Sequence, residues 1–243
     1  MFVYKSTLNI IIPAYNEESY IFEVLKEIDM LKLDSIDKLK VIVIDDCSTD
    51  KTAKEVERAK KELIEMNIHL IRNKKNYGKG YCLRKGFELT ERGIIIIQDA
   101  DLEYSPTEYF KLINPLLKNK ADVVYGSRFQ GSEPKRVLYF SHFIANKFVT
   151  TLSNILTGLN LSDMETCYKA FNTDLLNKMH LKENRFGFEP EITAKLSRIK
   201  GIKFVEVGIS YYGRTYGEGK KIGYKDAIRA IWCIFKYNIW SRK

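Results

Sequence analysis

Short apolar runs rich in isoleucine and valine recur through the first half of the chain, at positions 8–12, 39–44, 68–71, 94–97 and 123–125. Between the earlier runs lie segments of helical character, 17–31, 51–66 and 79–90. Runs of this composition predict strands, and their alternation with helices predicts a mostly parallel sheet flanked by helices. Past Gly126 the rhythm changes to a long helical stretch over 137–156, a loop over 158–166, and then a further helix and strand. No linker-like shift in composition, internal repeat or low-complexity tract interrupts the chain, so one continuous domain is expected.

Polar residues gather directly behind the strands, where an open α/β sheet binds its ligand. The sharpest cluster is Asp99-Ala100-Asp101, set behind the isoleucine run 94–97. Two carboxylates one residue apart behind a buried strand repel each other, which predicts a cation between them. Ser105-Pro106-Thr107-Glu108 supplies a capping box with proline at the first helical position, so neither aspartate is needed to cap the next helix. Glu103 stands two residues beyond Asp101, a spacing that puts both carboxylates on one side of an extended segment.

Three further clusters follow strands. In Pro13-Ala14-Tyr15-Asn16-Glu17-Glu18, Asn16 reads as a helix cap and the acids suit a helix N-terminus, while the Tyr15 ring can stack on a nucleobase. In Asp45-Asp46-Cys47-Ser48-Thr49-Asp50, Ser48 or Asp50 suffices as a cap. At least one aspartate is then spare to accept from ribose hydroxyls or a base imino group. In Asn76-Tyr77-Gly78-Lys79-Gly80 the glycines permit close backbone approach, the helix N-terminus favours an anion, and Lys79 adds a charge for a diphosphate. This is no P-loop, and a plain strand-to-helix turn is the competing reading. Together the clusters describe a nucleoside-diphosphate site with a bridging metal.

Composition narrows the partners. With 243 residues and 45% hydrophobic content the chain can bury a full core. An excess of Lys and Arg (40) over Asp and Glu (31), for a net charge of +9, predicts attraction to polyanions. Acids recurring at the strand ends would repel a nucleic acid, so a nucleic-acid-binding module ranks far below an enzyme. Cys47, Cys82, Cys167 and Cys233 form no paired spacing, and His69, His142 and His180 are isolated. A zinc site or disulfide framework is not indicated, a reducing compartment is expected, and any metal is to be held by oxygen, hence Mg²⁺ or Mn²⁺. No run approaches the ~20 apolar residues of a membrane span, and the N-terminus lacks a signal-peptide core. The apolar, aromatic segment 227–240, flanked by bases, reads either as a membrane-interfacial helix or as a terminal helix packed on its own domain.

The ordered set of these four clusters with Gly126-Ser127-Arg128 resembles glycosyltransferase family 2 with the GT-A fold. With Asp163-Met164-Glu165-Thr166-Cys167-Tyr168-Lys169, Arg185-Phe186-Gly187-Phe188-Glu189 and Tyr211-Tyr212-Gly213-Arg214-Thr215, the chain more narrowly resembles the polyprenyl-phosphate glycosyltransferases. That group contains dolichyl-phosphate mannose synthase and the dolichyl- or undecaprenyl-phosphate glucosyltransferases. The resemblance implies a Rossmann-like, mostly parallel sheet in a domain over 1–225, with a nucleotide-sugar half (1–125) and an acceptor half (126–225); the residues over 226–243 are set apart as a C-terminal amphipathic helix, interfacial in one of its two readings.

The resemblance also implies roles. Pro13, Tyr15, Asn16, Glu17, Asp45, Asp46, Gly78, Lys79, Asp99 and Ala100 would hold the nucleotide, Asp101 and Glu103 the metal, and Asp99, Asp101 and Arg128 would stand at the reacting centre. Arg128, Arg136, Ser141, Arg214 and Lys220 would face the acceptor phosphate. Mannose synthases of this type carry Gln where Glu103 stands. The expected reaction is inverting, metal-dependent transfer of a hexose from a nucleotide sugar, UDP-glucose favoured and GDP-mannose open, to polyprenyl or dolichyl phosphate. The expected place is the cytoplasmic face of a membrane, with a membrane-protein partner left open. The alternative is transfer to a sugar hydroxyl, which would need a base, and Glu189 or Glu191 lies where relatives of that kind keep one.

Overall fold

The computed structural model describes residues 6–137, 139–214 and 224–241. Among them, seven strands form one sheet in the order β3-β2-β1-β4-β6-β5-β7. The strands are β1 (Ser6–Ala14), β2 (Ile36–Asp45), β3 (Asn67–Arg72), β4 (Gly93–Ile97), β5 (Val123–Ser127), β6 (Lys169–Asn172) and β7 (Phe204–Gly208). The helices are α1 (Ile21–Asp29), α2 (Thr52–Glu62), α3 (Lys79–Phe87), α4 (Tyr109–Leu117), α5 (Phe140–Thr157), α6 (Phe188–Leu196) and α7 (Tyr224–Phe235), the last running on into a π-helical turn, Lys236–Trp240. All five strands expected from the apolar runs are present.

Strands of a parallel sheet are covered on both faces and therefore read as continuous apolar runs. Leu8, Ile10, Ile11 and Ile12 of β1, Val41 to Ile44 of β2 and Ile94 to Ile97 of β4 are accordingly buried. β1 pairs in parallel with β2 on one side and β4 on the other. The chain moves outward from β1 to β3 and then returns to β4, so a crevice opens at the carboxyl ends of β1 and β4, where such a sheet binds its ligand.

The second half departs from the simple alternation. β6 inserts antiparallel between β4 and β5, and β7 then pairs in parallel with β5. The short β6 begins at Lys169, a fully buried cation whose ammonium donates to the carbonyls of Met164 and Thr166.

Local signals held in part. Ser105 caps a 3₁₀ turn, Pro106–Glu108, by accepting from the Thr107 N–H. The box is not reciprocal, because Glu108 instead accepts from the Ser210 N–H at 2.8 Å and from Lys111. Helix α1 begins at Ile21 rather than at Glu17, since 17–20 form a turn closed by Tyr20 N–H to Glu17 carbonyl. Asn16 is no cap. It takes a left-handed conformation (φ 53°), and its side chain accepts from the Thr49 N–H, tying the loop after β1 to the loop after β2.

Candidate active site

The carboxyl ends of β1, β2 and β4 open onto a cavity of about 720 Å³. Pro13, Tyr15, Glu17, Asp46 and Lys79 line one part, and Asp99, Ala100, Asp101 and Glu103 another. Arg128, Ser141 and Arg214 complete the wall from the second half of the chain. Residues 86 to 197 positions apart in sequence therefore converge in one place, as Glu17, Glu103 and Arg214 illustrate.

The two aspartates after β2 have different surroundings. Asp45 is enclosed, does not line the cavity, and accepts from the Ser48 N–H (2.9 Å) and Arg72 Nε (2.8 Å). Its carboxylate is engaged by the loop and by Arg72, away from the cavity where the nucleotide was expected. Asp46 lines the cavity, yet it accepts from Asn73 Nδ2 (2.8 Å), the Tyr77 N–H (3.0 Å) and the Gly78 N–H (2.6 Å). It anchors the start of α3 while its carboxylate still lines the cavity.

The glycines before and inside α3 serve packing. A Cβ on Gly78, whose φ is +99°, would lie 2.6 Å from the Asn184 carbonyl, and one on Gly80 would lie 2.4 Å from the Glu183 carbonyl. Gly78 is not part of the cavity wall, so the backbone closeness expected for a diphosphate is used instead on the 183–185 segment. Lys79 does reach the site, with Nζ 2.8 Å from Asp99 and 3.5 Å from Glu189. Burial works against its charge, but Asp99 and Glu189 outweigh burial and hold the ammonium protonated. Burial likewise opposes the Asp99 carboxylate, and Lys79 and Arg214 keep it ionised below the usual range.

Asp101 titrates the other way. Burial first, then the Asp99 and Glu103 charges, push its carboxyl up to about 8, with Arg214 pulling back. The guanidinium of Arg214 sits among these acids, 2.5 Å from Asp101 and 2.9 Å from Glu17. The Arg214 N–H donates to Glu103 Oε1 at 2.6 Å, while the Tyr211 hydroxyl donates to Glu103 Oε2 at 2.8 Å. Among the described residues no three His, Cys, Asp or Glu side chains are arranged as a ready metal site. The donor chemistry nevertheless fits a hard divalent cation, since Asp99, Asp101 and Glu103 offer only carboxylate oxygens.

Arg128 is held by a bidentate pair with buried Asp163, at 2.6 and 2.7 Å. Arg136 is exposed and stands outside the cavity wall, donating to the Gly213 carbonyl at 3.2 Å. Lys220 lies outside the described residues. Of the two candidate bases, Glu191 accepts from the Lys182 and Glu183 N–H groups and pairs with Lys195, which excludes it. Glu189 is buried beside Lys79 and is not in the cavity wall.

Several wall residues were assigned no role from the sequence. His142 and Asn146 of α5 enter at i, i+4 spacing, and Asp226, Ala227 and Ala230 of α7 close one side. Glu165, from the turn before β6, also lines the cavity. Helical periodicity across 137–156 is compatible with His142 and Asn146 on one face, and Glu165 belongs to the 163–169 motif that carried the narrower resemblance, without a role of its own being assigned.

The fold is that of the GT-A glycosyltransferases. The crystal structure of glucosyl-3-phosphoglycerate synthase from Mycobacterium tuberculosis superimposes with a TM-score of 0.71 at 19% identity, covering 96% of this chain and 81% of that one. That synthase has also been solved with Mn²⁺, uridine diphosphate and glucosyl-3-phosphoglycerate. The chain belongs to glycosyl transferase family 2, whose model matches residues 9–179, and it is a glycosyltransferase. An uncharacterized protein of Methanocaldococcus jannaschii is 32% identical over 87% of this chain and 93% of its own length. The undecaprenyl-phosphate mannosyltransferase of Micrococcus luteus is 28% identical, over 88% of this chain and 86% of its own. The low-salt glycan biosynthesis hexosyltransferase Agl6 of Haloferax volcanii is 25% identical over 93% of this chain, which spans 52% of that protein.

Proposed function

We propose that the protein transfers a hexose from a nucleotide sugar to a polyprenyl phosphate with inversion at the anomeric carbon. The observation that carries this reading is that both acids expected to serve as the base are withdrawn from the cavity while an arginine is not, Glu191 being spent on Lys195 and the Lys182 and Glu183 N–H groups. Glu189 is enclosed against Lys79, whereas the guanidinium of Arg128 stands in the wall. A phosphate monoester, with a second pKa of about 6, is already a nucleophile near neutral pH and needs cations rather than a base. The undecaprenyl-phosphate mannosyltransferase among the relatives supports the same acceptor class.

In this reading Tyr15 and Asp46 hold the nucleoside, and Lys79 lies toward the diphosphate. Asp101 and Glu103, with Asp99, would hold Mg²⁺ or Mn²⁺, which when bound stabilises the charge on the departing nucleoside diphosphate. Arg128 and Ser141 orient the acceptor phosphate on the opposite face of the sugar. An acceptor oxygen forms the new bond to the anomeric carbon as the bond to the diphosphate breaks, and the electron pair leaves on the diphosphate. UDP-glucose is the favoured donor and GDP-mannose the second.

A polyprenyl acceptor stays in the bilayer. Among the described residues no helix is long and apolar enough to cross a membrane. The net charge of +9, the 226–243 segment and the exposed Phe140, Ile144 and Phe148 of α5 support peripheral attachment to an anionic surface. The test is a donor screen with purified protein, Mg²⁺ or Mn²⁺ and a short polyprenyl phosphate, reading released UDP or GDP. Free polyprenol should give no product, and efficient transfer to it or to a sugar hydroxyl would move the assignment to the hydroxyl-acceptor class.

A further inference from the structure

Glu165 stands in the cavity wall with an unspent oxygen. Its Oε1 is buried and has no hydrogen-bond partner among the described residues, a state that costs free energy unless a ligand completes it. The turn that carries it is held on every side. Lys169 donates to the carbonyls of Met164 and Thr166, which flank Glu165. Thr150 of α5 accepts from the Met164 N–H at 3.2 Å, and the Ser162 and Asp163 N–H groups both donate to Glu206. The carboxyl is thus presented by a built support and not by a loose loop.

The position selects the part of the ligand. Glu165 interacts electrostatically with Glu189 on one side, the partner of Lys79 and through it of Asp99. On the other side it interacts with Arg128 and Asp163. Glu165 thus shares the cavity wall with Lys79, assigned above to the diphosphate, and with Arg128, assigned to the acceptor. In the reading proposed above, the group that passes between those two residues is the hexose, a ligand whose surface is hydroxyls. Burial and the Glu189 charge push the Glu165 carboxyl up to about 8, against Lys169 and Arg128, so near neutral pH it can donate as well as accept.

We propose that Glu165 reads a hydroxyl of the transferred hexose, so that the turn before β6 sets the choice among nucleotide sugars differing at one hydroxyl. The proposal rests on the nucleotide-sugar reading above and adds the residue that discriminates. A site built to hydrogen-bond a hydroxyl rejects the analogue that lacks it far more strongly than an apolar pocket rejects an extra group.

The experiment compares the full wild-type chain with Glu165→Ala and Glu165→Asp, the latter keeping the carboxyl but withdrawing it by one methylene. Affinities are measured in the presence of Mn²⁺ for the nucleoside diphosphate alone, for its glucose, galactose, mannose and N-acetylglucosamine conjugates, and for deoxy donors missing one hydroxyl at a time. In the wild type one deoxy donor should bind at least tenfold more weakly than its parent. In both variants that penalty should vanish while the bare nucleoside diphosphate binds within about twofold of wild type. Such coupling between one side chain and one ligand hydroxyl is not produced by a general loss of structure. Identical deoxy penalties in wild type and variants, or an equal loss for bare nucleotide and nucleotide sugar, would overturn the role of Glu165 alone. A wild-type chain that binds neither UDP nor GDP, nor any conjugate of them, would overturn the donor reading and this inference with it. If Glu165→Ala does not fold, as judged by its melting curve, the Glu165→Asp series decides.

Discussion

The guanidinium of Arg214 lies 2.5 Å from the Asp101 carboxylate, at the point where three acids of the cavity share one cation. Glu17 and Glu103 complete its contacts, and the pairing partly offsets the repulsion that pushes Asp101 toward protonation. Arg214 and a divalent cation therefore compete for the same carboxylates. Arg214→Ala is expected to bind Mn²⁺ several-fold more tightly in the absence of nucleotide and to slow transfer tenfold or more. Titration calorimetry with Mn²⁺ alone checks the first part, and unchanged Mn²⁺ affinity would show that the arginine and the ion occupy separate places.

Asp101 itself should be indispensable. It lies behind a buried strand, and Ser105 has taken the local capping duty. Asp101→Asn is expected to lose turnover by about 10²-fold or more with the melting temperature little changed, because it relieves rather than creates charge repulsion. EDTA should abolish wild-type activity. Full activity with the chelator present would remove the metal from the mechanism.

Glu189 should not behave as a general base. Its Oε1 faces Lys79 at 3.5 Å and it is withdrawn from the cavity wall. Glu189→Gln is expected to lower kcat/KM without removing the acidic limb of its pH profile, whereas Arg128→Ala should raise the KM for polyprenyl phosphate by an order of magnitude or more. A Glu189→Gln profile flattened on the acid side would restore the base and with it the hydroxyl acceptor.

The parts of this architecture legible in the sequence are those where burial acts on many residues at once. Isoleucine runs such as 94–97 mark strands covered on both faces, and the acids behind them mark the crevice because few other places tolerate them. Legibility fails where one residue's partner is distant. Asp45 and Asp46 are adjacent and chemically identical, yet one is spent on Arg72 and the other faces the cavity, a difference set by loops 27 to 32 residues away. The strand β6 is only four residues long and opens on a buried lysine, which no periodicity reveals. Gly78 and Gly80 were visible as glycines, but the neighbour that requires them is the 183–185 segment, about a hundred residues later.

That segment also fastens the C-terminal helix, and acid should release it. Glu183 accepts from Arg229 (2.6 Å), Tyr237 (2.7 Å) and Lys236 (2.9 Å). Burial pushes its carboxyl up, but these three hydrogen bonds prevail and lower it to about 2. Because the folded value lies below the unfolded one, the stabilisation is complete above about pH 4.5 and is lost as the pH falls toward 2. After allowance for the solvent-exposed Arg229, the effect is of order 2 kcal/mol. Acid unfolding of Glu183→Gln should accordingly show a smaller loss of stability between pH 4.5 and 2 than the wild type, as read by denaturant titration at each pH.

Attachment to a membrane should depend on α5 as well as on the C-terminal segment. One side of α5 lines the cavity through Ser141, Ala145 and Val149, while Phe140, Ile144 and Phe148 at i, i+4 and i+8 face outward and are 77%, 49% and 57% exposed. In α7, Ala230, Cys233 and Ile234 are buried and Ile228 and Trp232 are exposed, so deleting the helix would open the core and the informative changes are point substitutions. Basic residues contribute on the order of 1 kcal/mol each near anionic lipid, and a buried aromatic face adds to this without approaching a spanning helix. Binding should therefore be reversible and weakened by salt. In co-sedimentation with vesicles containing anionic lipid, the paired substitutions Phe140→Ser with Phe148→Ser, and Trp232→Ala with Trp240→Ala, are each expected to lower the bound fraction several-fold at constant salt. The same variants should retain nucleotide binding, because none of the four side chains lines the cavity. A bound fraction unchanged in both would transfer the task of reaching the acceptor to a membrane-protein partner.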